Sequence, residues 1–418
     1  MMKCFLLLFA LTTSLCAQDQ WLDFRGPNHD GQIANKLPTV WNEGKNITWK
    51  TELHDHGIST PVILDDRVIL TAATEDGTSS YFLILDLESG EVLHDKLIFT
   101  SEDVEPLGGF GINTYATPSP VSDGKYVYLH YGTYGTACID PQTAEVLWLR
   151  RDINCRHYRG PASSPVLYGD LLILTMDGID HQYVTALNKD TGKTVWKTGR
   201  TTDFEDLLDG VPKREGDFRK GYNTPLVITV NGKDQLISVG AKSCFAYNPT
   251  NGLQLWSVTF PSHSAAARPV YDGEKIYIST GYGKADLLAI RPTGKGDVTE
   301  THVEWTYKKN VPRRASFLVI RDRLYMVDDG GVATCLNTEN GEMIWREGLG
   351  GNHSASLLYS NGLIYAFNEF GEGRTFRPSD TFEVVQENKL DVGMLASPAA
   401  VGDSLMLRTR EYLYRIDG

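Results

Sequence analysis

The sequence predicts an all-β fold, an eight-bladed β-propeller of four-stranded antiparallel blades, on three features. An apolar strand opening with Ser/Ala-x-Pro-Val recurs about eight times, and a D..TGE..W turn closes the second half of most units. The two ends of the chain also complement each other.

The strand anchors are Pro61, Pro120, Pro165, Pro225, Pro269 and Pro398, with Phe317 and Leu357 at the same place in two copies that lack the proline. Units of roughly 40 to 60 residues have room for four short strands and their turns, so each predicts one sheet.

The second half of the unit is visible in LDLESGEVLH, IDPQTAEVLWL, LNKDTGKTVWK, YNPTNGLQLWS and LNTENGEMIWR. A tight turn between two apolar strands needs a residue tolerant of positive φ, which glycine supplies. Trp148, Trp196, Trp256, Trp305 and Trp345 fall at matching places in the last strand, where a large ring covers the junction between neighbouring sheets.

The eighth unit ends at EYLYRIDG, one strand short, while NITWK at residues 46–50 matches a fourth strand including its tryptophan, Trp49. The N-terminal strand is therefore expected to complete the last blade and close the ring, which leaves only short edges exposed.

Residues 1–17 read as a secretory signal, Met-Met-Lys followed by an apolar run too short to span a membrane and ending at Cys16-Ala17. Residues 18–45 form an N-terminal extension and 46–418 the propeller. A periplasmic or secreted protein is expected, with lipid anchoring through Cys16 as the competing arrangement. No other stretch is apolar and long enough to cross a bilayer.

The net charge of −13, from 40 Lys and Arg against 53 Asp and Glu, disfavours nucleic acid and anionic lipid as partners. Four cysteines remain after the signal: Cys138, Cys155, Cys244 and Cys335. Cys138 and Cys335 occupy equivalent buried-looking positions and read as small core residues. A Cys138–Cys155 bridge between adjacent sheets is one arrangement that an oxidising compartment permits. No CxxC pair or zinc spacing exists.

No phosphate loop, nucleophile elbow or HExxH helix is present. The informative polar residues sit in the loops that lead from the outer strand of one blade to the inner strand of the next. These loops contribute His56, Asn113, Tyr115, His157, Arg159, Lys220, Tyr222, His263, Arg268, Arg314 and His353, with His54, Arg156, Tyr158, Arg219, Asn223, Arg313 and Asn352 beside them. In a closed ring such positions share one face around the channel, predicting a basic collar on an acidic protein that would bind a partner or a small anion. Polar exposure of ordinary loops is the alternative. The acidic insertion TTDFEDLLDGVPKREGDFRK, with Asp203, Glu205, Asp206 and Asp209, lacks calcium-loop spacing and reads as a solvated excursion or lid.

These repeats resemble the pyrroloquinoline-quinone-type propellers, the superfamily of quinoprotein alcohol dehydrogenases and the outer-membrane assembly lipoprotein BamB. The N-terminal WLDFRGPNHDG and the segment CRHYRGPASSPVLYGDLLILTMDGIDHQYVTALNKDTGKTVWKT are similar to a group of secreted bacterial propellers. Resemblance to the dehydrogenases implies pyrroloquinoline quinone in the channel, calcium held by Glu and Asn, an Asp base and usually an adjacent cysteine pair. This chain has no adjacent cysteines, and Asp55 is the only Asp that close to an anchor, so no cofactor and no catalytic or metal residue is expected. Resemblance to BamB implies a ring that presents loops and strand edges to envelope proteins. The expected role is a BamB-like binding or scaffold module in the cell envelope. Its alternative is a quinoprotein-type dehydrogenase or a small-anion or sugar-binding protein that uses the collar.

Overall fold

The computed structural model describes residues 20–108, 111–204, 207–208, 211–212 and 217–418. The signal segment, with Cys16, and Glu205, Asp206 and Asp209 of the acidic insertion lie outside the described residues.

Eight antiparallel sheets of four strands stand in a ring. Blade 1 is Val62–Leu64, Arg67–Ala73, Ser79–Asp86 and Val92–Thr100. Blades 2 to 7 begin at Val121, Val166, Leu226, Val270, Leu318 and Leu358. Blade 8 joins both ends of the chain: Ile47–Glu52 pairs antiparallel with Tyr412–Ile416, after Ala399–Val401 and Ser404–Arg408. The closure expected from the sequence is observed.

Within each blade the second and third strands are almost wholly buried and the outer strand is half exposed, as the Val/Ile/Leu/Tyr-rich inner strands require. Two blades carry a fifth, parallel strand: Gly296–Asp297 lies along the outer strand of blade 4, and Gln32–Ile33 along the inner strand of blade 7.

The residue before each anchor forms a ring of hydroxyl links between blades. The backbone N–H of Thr60 donates to Ser119 Oγ, Ser119 to Ser164 Oγ and Ser164 to Thr224 Oγ1, each at 2.9 Å. Arg268 N–H donates to Ser316 Oγ, Ser316 to Ser356 Oγ and Ser356 to Ser397 Oγ at 2.9–3.0 Å. Phe317 and Leu357 are thereby confirmed as anchors without proline. Blade 5 breaks the pattern, since Arg268 has no hydroxyl; there the Asn223 amide reaches the Ala267 carbonyl instead.

Tryptophans seal the outer ends of the same joints. Trp49, Trp148, Trp196, Trp305 and Trp345 each donate Nε1–H to a carbonyl in the last turn of the following blade, at Leu87, Lys189, Pro249, Thr338 and Ser379. Trp256 differs: it donates to Gln235 of its own blade, which in turn holds Pro292 O.

Residues 20–45 are not a loose tail. Trp21 pairs through its backbone with Ile63 of blade 1, and Leu22 O accepts from Ser122 of blade 2. Asp23 reaches Arg268 of blade 5, Arg25 donates to Phe317 O and Leu357 O of blades 6 and 7, and Gln32 pairs with Tyr359. A segment that touches blades 1, 2, 5, 6 and 7 within a dozen residues crosses from one side of the ring to the other at the level of the anchors Phe317 and Leu357.

The four described cysteines are free and buried. The bridge between Cys138 and Cys155 that the sequence left open is not formed; burial pushes both thiols up to about 12, which keeps them inert.

Candidate functional site: the loop face of the ring

The strand-entry loops do lie on one face, but the residues read from sequence fall into separate clusters there. The largest joins blades 2 to 4. His157 is buried and its Nδ1 accepts from Lys220 Nζ at 2.8 Å. Burial, with Lys220 and His130 adding to it, holds this imidazole well below its usual range, so it is neutral. Gly132 makes room, because a Cβ there would stand 2.3 Å from His157 Nε2.

Beside it, Arg159 adopts left-handed backbone at φ 68° and its carbonyl accepts from Asn113 Nδ2 at 2.6 Å. Tyr222 donates to Tyr158 O at 3.3 Å, and the Lys220 ammonium lies over the Tyr222 ring. Arg156 pairs with Glu105 at 2.8 Å. Glu105, Tyr134, Asn154, Arg156 and His157 line a cleft of about 650 Å³, together with Asp180.

A second cluster stands over blades 5 to 7. Arg313 and Arg314 share Asp329 at 2.9 and 3.1 Å, and Arg314 continues to Glu369 at 3.0 Å and Ser354 Oγ at 2.6 Å. Arg313 also lies over the Tyr282 ring, which neighbours His263. His353 is buried, and its Nε2 contacts Gly350 O at 3.2 Å.

Tyr115 belongs to the first cluster, buried against Gly77 with its hydroxyl donating to Glu105 O and its ring on Tyr134. Two of the sequence candidates join neither cluster. His56 is exposed and engages Ala73 only through its backbone. Arg268 turns away from the loops, down the channel to Asp23.

The acids that neutralise this face were missed from sequence. Asp177 ends the second strand of its blade, in MDGIDH, and Asp329 and Glu369 occupy the loops just after theirs, in DDGG and NEFGEG; these segments share the face with the strand-entry loops. Asp177 and Arg200 form a buried bidentate pair at 2.6 and 2.8 Å. Arginine already grips each of these carboxylates, and the described residues include no group of three or more His, Cys, Asp or Glu placed to hold a metal ion.

With the fold and this face described, comparison with known proteins is informative. A family model described as outer membrane protein assembly factor BamB matches residues 113–198, which span blades 2 and 3. BamB from Moraxella catarrhalis superposes with a TM-score of 0.60 at 12% identity, over 88% of this chain and 99% of that one. Quinohemoprotein alcohol dehydrogenase from Comamonas testosteroni gives 0.70 at 10% identity, over 96% and 81%. A europium-containing methanol dehydrogenase gives 0.65 at 12%, over 93% and 89%. No curated protein sequence matches the chain. The chain has the eight-bladed propeller fold of these proteins; identities this low speak for the fold alone.

Proposed function

We propose that this propeller is a protein-binding scaffold of the cell envelope, BamB-like in role. One observation carries the reading. The adjacent outer strands of blades 1 to 3 expose Leu93, Leu97, Leu147, Leu149 and Val195, the last at 53%. Edge strands are ordinarily guarded by charge or cover, and exposed aliphatic side chains on several of them mark an interaction surface. Blade 4 has such cover from its own chain, in Gly296–Asp297.

Export rests on the signal-like residues 1–17 and on the likeness to BamB. The test is site-specific photo-crosslinking in cells at Leu97 and Leu149, with Lys308 on blade 5 as control. A discrete adduct from the first two sites and not the third is expected. Identical labelling at all three sites would sink the proposal.

A second reading, binding of a small ligand, is favoured by the cleft that His157 and Arg156 line. Isothermal titration with sugars and small carboxylates, before and after Asn154→Leu at the cleft wall, distinguishes it.

A further inference from the structure

Several arginines near the ring interior are paired with carboxylates. Arg268 has Asp23, Arg200 has Asp177, and Arg313 and Arg314 share Asp329 and Glu369. Arg25 has no carboxylate, but its two terminal nitrogens are surrounded by the carbonyls of Asp30, Phe317 and Leu357.

Arg408 differs. It ends the second strand of blade 8 and is 2% exposed. Its contacts are made through Nη1 alone, to Ser59 Oγ at 2.6 Å and Ser59 O at 3.4 Å, in the loop that enters blade 1. Nε has no partner. No carboxylate pairs with it among the described residues. Gly57 is what lets the guanidinium stand here, since a Cβ at that position would be 2.2 Å from Nη2.

Burial of an arginine without counter-charge is costly, and burial pushes this guanidinium down to about 9, with Tyr131 opposing the shift. Such a group is stabilised by an anion that completes its fork of donors.

We infer that Arg408 is the binding site of a small anion, a halide or a carboxylate, at the joint of blades 8 and 1. The site lies against the strand-entry loop of blade 1 and is separate from the exposed outer-strand aliphatics and from the two clusters over blades 2 to 4 and 5 to 7. Its occupant neutralises the joint where the ring closes.

Two measurements on the full chain test this. Crystals soaked in bromide should show an anomalous peak against the Arg408 guanidinium. In solution, exchanging sulfate for bromide or acetate at constant ionic strength should raise the unfolding midpoint saturably, by about 2–5 °C. Arg408→Met should abolish that rise while folding normally in sulfate, because the uncompensated charge has gone. A rise with bromide identifies a halide site, and a rise with acetate alone identifies a carboxylate site. The inference is overturned if the peak is absent and acetate gives no rise either, or if the midpoint of Arg408→Met responds to these anions as wild type does. Should Arg408→Met not fold, the bromide map and Arg408→Lys, which keeps the charge and should keep part of the rise, decide the matter.

Discussion

The indole of Trp148 lies against the α-carbon of Gly192 in the next blade: a Cβ at Gly192 would stand 2.7 Å from the ring. The same contact joins Trp49 to Gly90, Trp196 to Gly252 and Trp305 to Gly341. This is why the turn glycine and the tryptophan occur together in the repeat. Blade 1 has His94 where most others have tryptophan, and the turn of blade 2 that follows it carries Ala144 at positive φ in place of glycine. A side chain is tolerated there because no indole from the preceding blade covers the turn.

Gly192→Ala is therefore expected to cost more than its backbone conformation alone. Left-handed backbone costs an L-residue about 1–2 kcal/mol, and overpacking adds about 1–3 kcal/mol. In a Trp148→Ala background only the first cost should remain, and Ala144→Gly should change stability by less than about 1 kcal/mol. Urea unfolding of the double-mutant cycle checks this; strict additivity would show that the ring exerts no pressure on the turn.

The hydroxyl ring makes a different prediction. Ser164→Ala leaves the buried Ser119 N–H without its acceptor, which costs about 1–3 kcal/mol. Ser164→Thr keeps the oxygen and should be nearly neutral. Hydrogen exchange at Ser119 is the direct readout, and unchanged protection in the alanine variant would assign that amide another partner.

Buried neutral histidines set the response to acid. Burial pushes His130 down to about 3, and it lowers His157 and His353 as well. In the unfolded chain these groups protonate near pH 6.5, so below that pH the unfolded state binds more protons and stability falls. Each contributes about 1.4 kcal/mol per pH unit until its folded value is reached. Stability is thus expected to decline from pH 6.5 downward, and His130→Gln should remove the share of one proton from the slope between pH 6 and 4. An unaltered slope in that variant would mean that His130 is protonated in the folded protein.

The fold was legible in the chain because each device of the joints repeats: proline anchors, turn glycines and tryptophans. The site was legible by half. Loops before the inner strands were read, giving His157, Lys220 and Arg314, while the acids at or just beyond the ends of the second strands, Asp177, Asp329 and Glu369, were not weighed against them. Charge on one face is a sum over both loop sets, so a collar that looked basic proves largely paired. Nothing periodic marks the N-terminal crossing or Arg408, because each occurs once, and their partners lie hundreds of residues away.

That crossing yields the last prediction. Asp23 is buried, and burial alone would raise its carboxyl, but Arg268 and His29 outweigh that and hold it below the usual carboxylate range. Its stabilisation is therefore present above about pH 4 and lost as pH falls below the unfolded value. Asp23→Asn removes the charge and strands Arg268 in the channel, which is expected to cost about 3–5 kcal/mol. Because Asp23 also accepts the Arg25 N–H at 3.2 Å, the loss should spread to the turn at Gly26, where the Trp21 ring packs. Proteolysis should then cut within residues 20–45 sooner than in wild type. Asp23→Leu with Arg268→Met, which removes both charges, should recover most of the stability. An Asp23→Asn variant as stable and as protease-resistant as wild type would mean that the crossing is held by Arg25 and the strand pairing at Gln32–Ile33 alone.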